Sequence, residues 1–172
     1  MKVLVASESR HGSTTEIAAA IAEVLESEGH QVEQRRMVDV ETVFPYDAYV
    51  LGSAVYRGSW ERAARRFLDE HAELLATRPT WLFSSGPVGH PAHDATSDVF
   101  GAEELVELVD ARDHQLFGGK LDSAQLGLRE RAVTRLLRVP DGDYRAWESV
   151  VAWATAISRT LADSRQEPVA RS

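Results

Sequence analysis

Three short apolar runs, each far too short for a helix, constrain this chain most. They are Val3-Leu4-Val5-Ala6, the stretch Asp47 to Gly52, and Thr80 to Ser84. The first has no polar alternation, which marks a strand buried on both faces rather than one with a wet side. Between the runs the apolar period changes to that of a helix. Ile17, Ile21, Val24 and Leu25 repeat at helical spacing, with Glu16, Glu23, Glu26 and Glu28 mostly on other faces, and Gly29 is the expected stop. A second helix is expected from Ser59 or Trp60, with Ala63, Ala64, Phe67, Leu68, His71, Leu74 and Leu75 as its buried stripe. Gln31 to Arg35 alternates weakly, as an edge strand does, and His114 to Phe117 reads as a fifth strand ending at Gly118-Gly119. Glu103 to Val109 is expected to be helical, and so is Asp143 to Asp163, with Trp147, Val150, Val151, Ala154, Ile157 and Leu161 on one face. Strands alternating with helices select an α/β layered fold, because parallel strands need crossovers and each crossover is right-handed. One domain is expected over residues 1–163, followed by a polar, flexible tail from 164 to 172.

Composition removes whole classes of function. With 172 residues, 44% hydrophobic and 27% charged, the chain can bury its own core. A net charge of −8 repels nucleic acid, so no nucleic-acid partner is expected. The absence of cysteine excludes disulfides, thiol nucleophiles and iron–sulfur ligation, so any redox chemistry must come from a bound cofactor. No stretch reaches the roughly 18 apolar residues of a spanning helix, and the start lacks a cleavage-site pattern, so the expected location is cytoplasmic.

Ligands of an open parallel sheet sit beyond the carboxyl ends of its strands. Three segments leave such ends: Ser7 to Thr14, Ser53 to Ser59, and Ser85 onward. The first is the most informative. Free amides and the positive dipole end of a helix favour an anionic phosphate there, Gly12 permits close approach of the main chain, and Ser9, Ser13 and Thr14 offer hydroxyls. No lysine completes a triphosphate loop, and no G-x-G-x-x-G dinucleotide fingerprint is present. The competing reading is a capping box, in which Ser13 and Glu16 at S-x-x-E spacing close the helix end without any ligand. There is no G-x-S-x-G elbow, and Gly52-Ser53 stands where a phosphoacceptor domain needs an aspartate.

The segment Ser9-Arg10-His11-Gly12-Ser13-Thr14, followed by Glu16, resembles the phosphate loop of the flavodoxin family, with His11 where a threonine is usual. Tyr46 to Gly58, the helix carrying Phe67 and His71, Pro79 to Ser84, Gly118-Gly119-Lys120-Leu121 and the Trp147-rich closing helix are similar to flavodoxin-fold protoporphyrinogen oxidases that use menaquinone. The resemblance runs from residue 2 to about residue 162. It implies a three-layer α/β/α sandwich with a five-stranded parallel sheet in the order 2-1-3-4-5, and flavin mononucleotide (FMN) as cofactor. It places Ser9, Arg10, His11, Gly12, Ser13 and Thr14 on the phosphate. Ala54, Val55, Tyr56, Arg57 and Gly58 would lie along one side of the isoalloxazine ring, and Ser85, Gly86, Pro87, Val88 and Gly89 along the other. Tyr56 either stacks on the flavin or packs beneath its loop. Arg57 either stabilises the charge of the reduced ring or reaches solvent or a phosphate.

The implied activity is that of an FMN-dependent oxidoreductase, oxidase-like or quinone-linked, with a small-molecule or protein redox partner. Two other readings stay open: a single-electron carrier between proteins, and a module of this fold that has lost its cofactor. The deazaflavin F420 also presents a phosphate and is not separated from FMN by this loop. Four arginines between Leu128 and Arg138 form either a weak peripheral membrane contact, Arg129 to Arg138, or a solvated helix face. His90, His93 and Asp94 lack a third distant ligand, so no metal is expected, and a loop covering the flavin is the competing reading.

Overall fold

A computed structural model of the protein describes residues 1–56, 58–86, 101–121, 142–143 and 145–166. Five parallel strands form its centre: β1 (Lys2–Glu8), β2 (Gln31–Arg36), β3 (Ala48–Tyr56), β5 (Thr80–Ser85) and β6 (Asp113–Phe117). They pair in the order β2-β1-β3-β5-β6, and a two-residue strand β4 (Ser59–Trp60) folds back antiparallel on β3. Without that hairpin arm the order is the expected 2-1-3-4-5. The helices are α1 (Ser13–Ser27), α2 (Arg62–Leu75), α3 (Ala102–Leu108) and α4 (Trp147–Gln166). A short ladder joins β7 (Lys120–Leu121) to β8 (Gly142–Asp143).

Strand pleating divides the core in two. Val3, Val5, Val50, Trp81 and Phe83 face a cluster with Ile17, Ile21 and Leu25 of α1 and Val150, Ile157 and Leu161 of α4. Leu4, Ala6, Tyr49, Leu51 and Leu82 face the opposite way, onto Phe67 and Leu68 of α2 and Leu105 of α3. The central strands are buried on both faces, which is why their sequences carry no alternation. Strand β2 closes one edge with exposed Gln34, Arg35 and Arg36, a polar rim that discourages pairing with another chain.

Three expectations need correction. Strand β3 does not stop at Gly52 but runs to Tyr56, because its last residues pair with β4 and β5. Ser59 and Trp60 therefore belong to a hairpin, and α2 begins only at Arg62. On α4, Trp147 and Val151 are 39% and 46% exposed, whereas Trp153 is buried. Val150, Trp153, Ala154, Ile157 and Leu161 fall at i, i+3, i+4, i+7 and i+11, and Val151 lies 100° around the axis from that stripe. Residues 167–172 of the expected tail and the arginine segment Arg129 to Arg138 lie outside the described residues.

Candidate functional site

Register brings the strand ends to one edge. Glu8 pairs with Ser53, Ala54 with Ser85, and Ser85 with Phe117, so the segments following β1, β3, β5 and β6 leave the sheet side by side. Strand β1 continues the sheet toward β2 while β3 continues it toward β5, and the reversal between them is the switch point at which such sheets hold ligands.

The segment after β1 turns into α1 through Gly12, whose φ of 82° is left-handed backbone that disfavours any side chain. The Glu16 amide bonds the Gly12 carbonyl at 2.9 Å and opens the helix. Ser13 is the first helical residue rather than the cap, the cap position is Gly12, which has no side chain to offer, and the Glu16 carboxylate is turned to Arg145. The capping box is not formed. The first-turn amides have no carbonyl of their own helix to meet. Thr14, fully buried, has its Oγ1 without a hydrogen-bond partner, and among the described residues no atom beyond the flanking residues lies within 4 Å of where a Cβ on Gly12 would stand. A buried hydroxyl left without a partner is costly, so this one calls for an occupant. A phosphate ester, rich in acceptors and anionic, suits both the hydroxyl and the amides.

The hairpin after β3 closes over this loop. The Arg10 guanidinium lies 4.7 Å from the Tyr56 ring centroid and pairs with Glu61 at 2.7 Å, and the His11 ring stands edge-on to Tyr56 at 6.2 Å. Glu61 is fixed in turn by its amide, which donates to Ser53 Oγ at 3.0 Å. Gly58, with φ of 79°, makes the tight hairpin turn. On the far side Ser85 is buried, and the Gly86 amide donates to the Phe117 carbonyl at 3.0 Å. A Cβ on Gly86 would stand 3.4 Å from the Val55 carbonyl, and one on Gly119 would stand 3.6 Å from Gly86, so three chain segments converge there.

The structure thus brings the segments carrying Ser9 to Thr14, Ala54 to Tyr56, Gly58, Ser85 and Gly86 to one edge of the sheet, the candidate crevice, while Arg57, Pro87, Val88 and Gly89 lie outside the described residues, as do His90, His93 and Asp94. Among the described residues no group of three or more His, Cys, Asp or Glu could hold a metal ion, and no helix is long and apolar enough to cross a membrane. Sequence reasoning missed Glu61, whose i+8 relation to Ser53 has no local signature, and Arg145, which reaches Glu16 across 129 positions. A cavity of ≈ 510 Å³ at the β2 edge, lined by Glu33, Arg35, Asp39, Glu41 and Tyr46 among others, contains no residue of the crevice. Its lining carries both signs of charge and includes no buried orphaned side-chain atom, so the crevice is the stronger candidate.

A family model described as the flavodoxin domain matches residues 4–146. A search of the curated proteins finds no match. Among solved structures, flavodoxin 2 from Bacillus cereus is similar at 22% identity and a TM-score of 0.62, over 93% of this chain and 99% of that one. An archaeal flavodoxin is similar at 18% identity and 0.62, over 94% and 99%. Rubredoxin:oxygen oxidoreductase from Desulfovibrio gigas matches at 16% identity and 0.65, over 96% of this chain but 37% of that one, so the chain spans little more than a third of that protein. At these identities the likeness to the solved structures is one of fold.

Proposed function

The chain belongs to the flavodoxin domain family, and from that premise we propose that it binds FMN in the crevice beside β1 and β3 and works as an FMN-dependent oxidoreductase. The observation that carries the proposal is Thr14 Oγ1, fully buried and without a hydrogen-bond partner in the first turn of α1. Ser9 to Thr14 would hold the phosphate through backbone amides and hydroxyls. Ala54 to Gly58 and Ser85 to Gly89 would flank the ring, with Gly86 keeping the wall thin where β5 ends. Bound FMN supplies one- and two-electron transfer. The chain orients it, shields one side with Tyr56, and holds that ring in place through Arg10, His11 and Glu61. The finer reading, a quinone-linked oxidase resembling the protoporphyrinogen oxidases, is supported by the sequence pattern only: Tyr46 to Gly58, the helix with Phe67 and His71, Pro79 to Ser84, Gly118 to Leu121 and the Trp147-rich helix. The electron source or acceptor is proposed as a small molecule or a redox protein.

The proposal is tested by titrating the purified, flavin-free protein with FMN and following flavin fluorescence. Saturable binding is expected, and Thr14→Val should weaken it about tenfold or more, since a hydrogen bond to a charged group contributes about 1.5–3 kcal/mol. Failure of the wild type to take up FMN overturns the reading. The enzymatic half is tested separately, by reoxidation of the reduced holoprotein with a soluble quinone or dioxygen. Rates no faster than those of free FMN would leave only a binding module.

A further inference from the structure

One buried cation beside the crevice has no role in the reading so far. The Arg145 side chain is only 4% exposed, and its guanidinium meets two carboxylates: Glu16 through Nη1, and Asp143 through Nε at 2.7 Å and Nη2 at 2.5 Å. Its carbon lies 4.5 Å from the Trp147 ring centroid, which covers its remaining face. The contact joins the residues just before α4 to the first turn of α1, two positions along the helix from Thr14 and on a different face.

Helix physics alone does not explain this arrangement. Glu16 already stands at the positive end of α1, where a carboxylate is stabilised without help. Arg145 lies two residues before α4 and touches the amino end of α1, so both dipoles disfavour its charge there. Burying a guanidinium also carries a desolvation cost. The placement becomes intelligible once a second anion has to share the first turn of α1. Glu16 alone would then repel a phosphate, and a cation held on Glu16, though shared with Asp143, reduces that repulsion.

We propose that Arg145 is a positioning residue for the anion seat, acting through Glu16: it offsets the charge of that carboxylate so that Thr14 and the neighbouring amides can meet a phosphate ester. The proposal rests on the FMN reading and adds a residue that reading does not contain. Glu16 is the sensor of the effect, because its side chain is 55% exposed and its loss does not threaten the fold.

The experiment compares FMN with riboflavin, which lacks the phosphate, in the wild type, Arg145→Gln, Glu16→Gln and the double variant. Arg145→Gln should weaken FMN about tenfold and leave riboflavin unchanged, because Glu16 and Asp143 both lose their cation and Glu16 stands at the head of α1. Glu16→Gln should keep FMN affinity or tighten it by up to about threefold, and the double variant should return to within about threefold of the wild type. If Glu16→Gln weakens FMN as much as Arg145→Gln does, the pair is a mechanical clamp and the proposal falls. Equal losses for riboflavin and FMN, or no loss in Arg145→Gln, also overturn it. A wild type that binds no FMN removes the parent reading, and this one with it. A wild type that binds while the variants match it removes this inference alone.

Discussion

The indole N–H of Trp60 donates to Ser84 Oγ at 2.7 Å, and Ser84 Oγ lies 2.8 Å from His114 Nε2. Ser84 thus accepts from the hairpin arm β4 and shares a hydrogen bond with the imidazole at the sheet edge, whose direction follows the tautomer of His114. Burial, partly opposed by the charge of Asp113, pushes the His114 pKa below its ordinary value, consistent with a neutral ring. The chain Trp60–Ser84–His114 runs across β4, β5 and β6 and ties the hairpin carrying Tyr56 to the centre of the sheet.

Trp60 is 4% exposed, so replacing it by Phe removes the donor and leaves a small void. A destabilisation of about 1–3 kcal/mol is expected from the lost bond and the lost packing together. Urea unfolding should show a lower midpoint with an unchanged slope. An unchanged midpoint would mean that the hairpin is not tied down through Ser84.

The pH dependence of stability has a definite sign at His114. Its folded pKa lies below the ordinary 6.5, so above pH 6.5 both folded and unfolded chains carry it neutral and stability is full. As pH falls below 6.5 the unfolded chain takes the proton first, and stability declines until the folded pKa is passed. His114→Gln should flatten part of that decline. The other histidines cancel in the difference between variant and wild type, so unfolding measured for both at matched pH isolates this one group.

Much of this was readable from the residues. Val3 to Ala6 identified a doubly buried strand because no polar residue interrupts it, Thr80 to Ser84 was legible as a strand, and the stripe Ile17, Ile21, Leu25 identified α1. Gly12 was legible as a point where the main chain can approach a ligand closely; its left-handed φ is a further reason for glycine that the structure adds. Other features were not, because their causes are not local. Gly52 looks like a strand terminator but lies inside β3, where the Phe83 ring occupies the space a side chain would need. Glu16 reads as half of a capping box from its spacing to Ser13, yet its partner is Arg145, far along the chain. Val151 was misassigned because α4 buries a stripe set by Phe83 and Phe117, which select Trp153 through edge-on ring contacts at 6.2 and 5.7 Å.

At Gly52 an added Cβ would stand 2.1 Å from Phe83 Cζ, inside a ring that is itself fully buried. Gly52→Ala is therefore expected to destabilise the protein by about 1–3 kcal/mol through overpacking. Phe83→Leu in the same chain should recover part of that loss, giving a favourable coupling of about 0.5–3 kcal/mol in a double-mutant cycle. Strictly additive losses would show that the strain is relieved somewhere other than against this ring.

Gly12 separates backbone strain from ligand binding. Its φ of 82° disfavours alanine by about 1–2 kcal/mol, while among the described residues no atom beyond its chain neighbours lies within 4 Å of the added Cβ, so no clash with them adds to this. Gly12→Ala should therefore lower the stability of the flavin-free protein by about that amount and no more. Asparagine tolerates left-handed backbone better, so Gly12→Asn should lie closer to the wild type in denaturant. Both variants nevertheless place a side chain in the open space at the head of α1, where the phosphate is proposed to sit. Both are expected to weaken FMN about tenfold or more, comparable to losing a hydrogen bond to a charged group, with a smaller effect on riboflavin. Stability and affinity then fall out of proportion: Gly12→Asn loses binding without losing the fold. If FMN affinity instead tracks the denaturation midpoint across the two variants, Gly12 serves the turn alone, and the anion seat belongs elsewhere in the crevice.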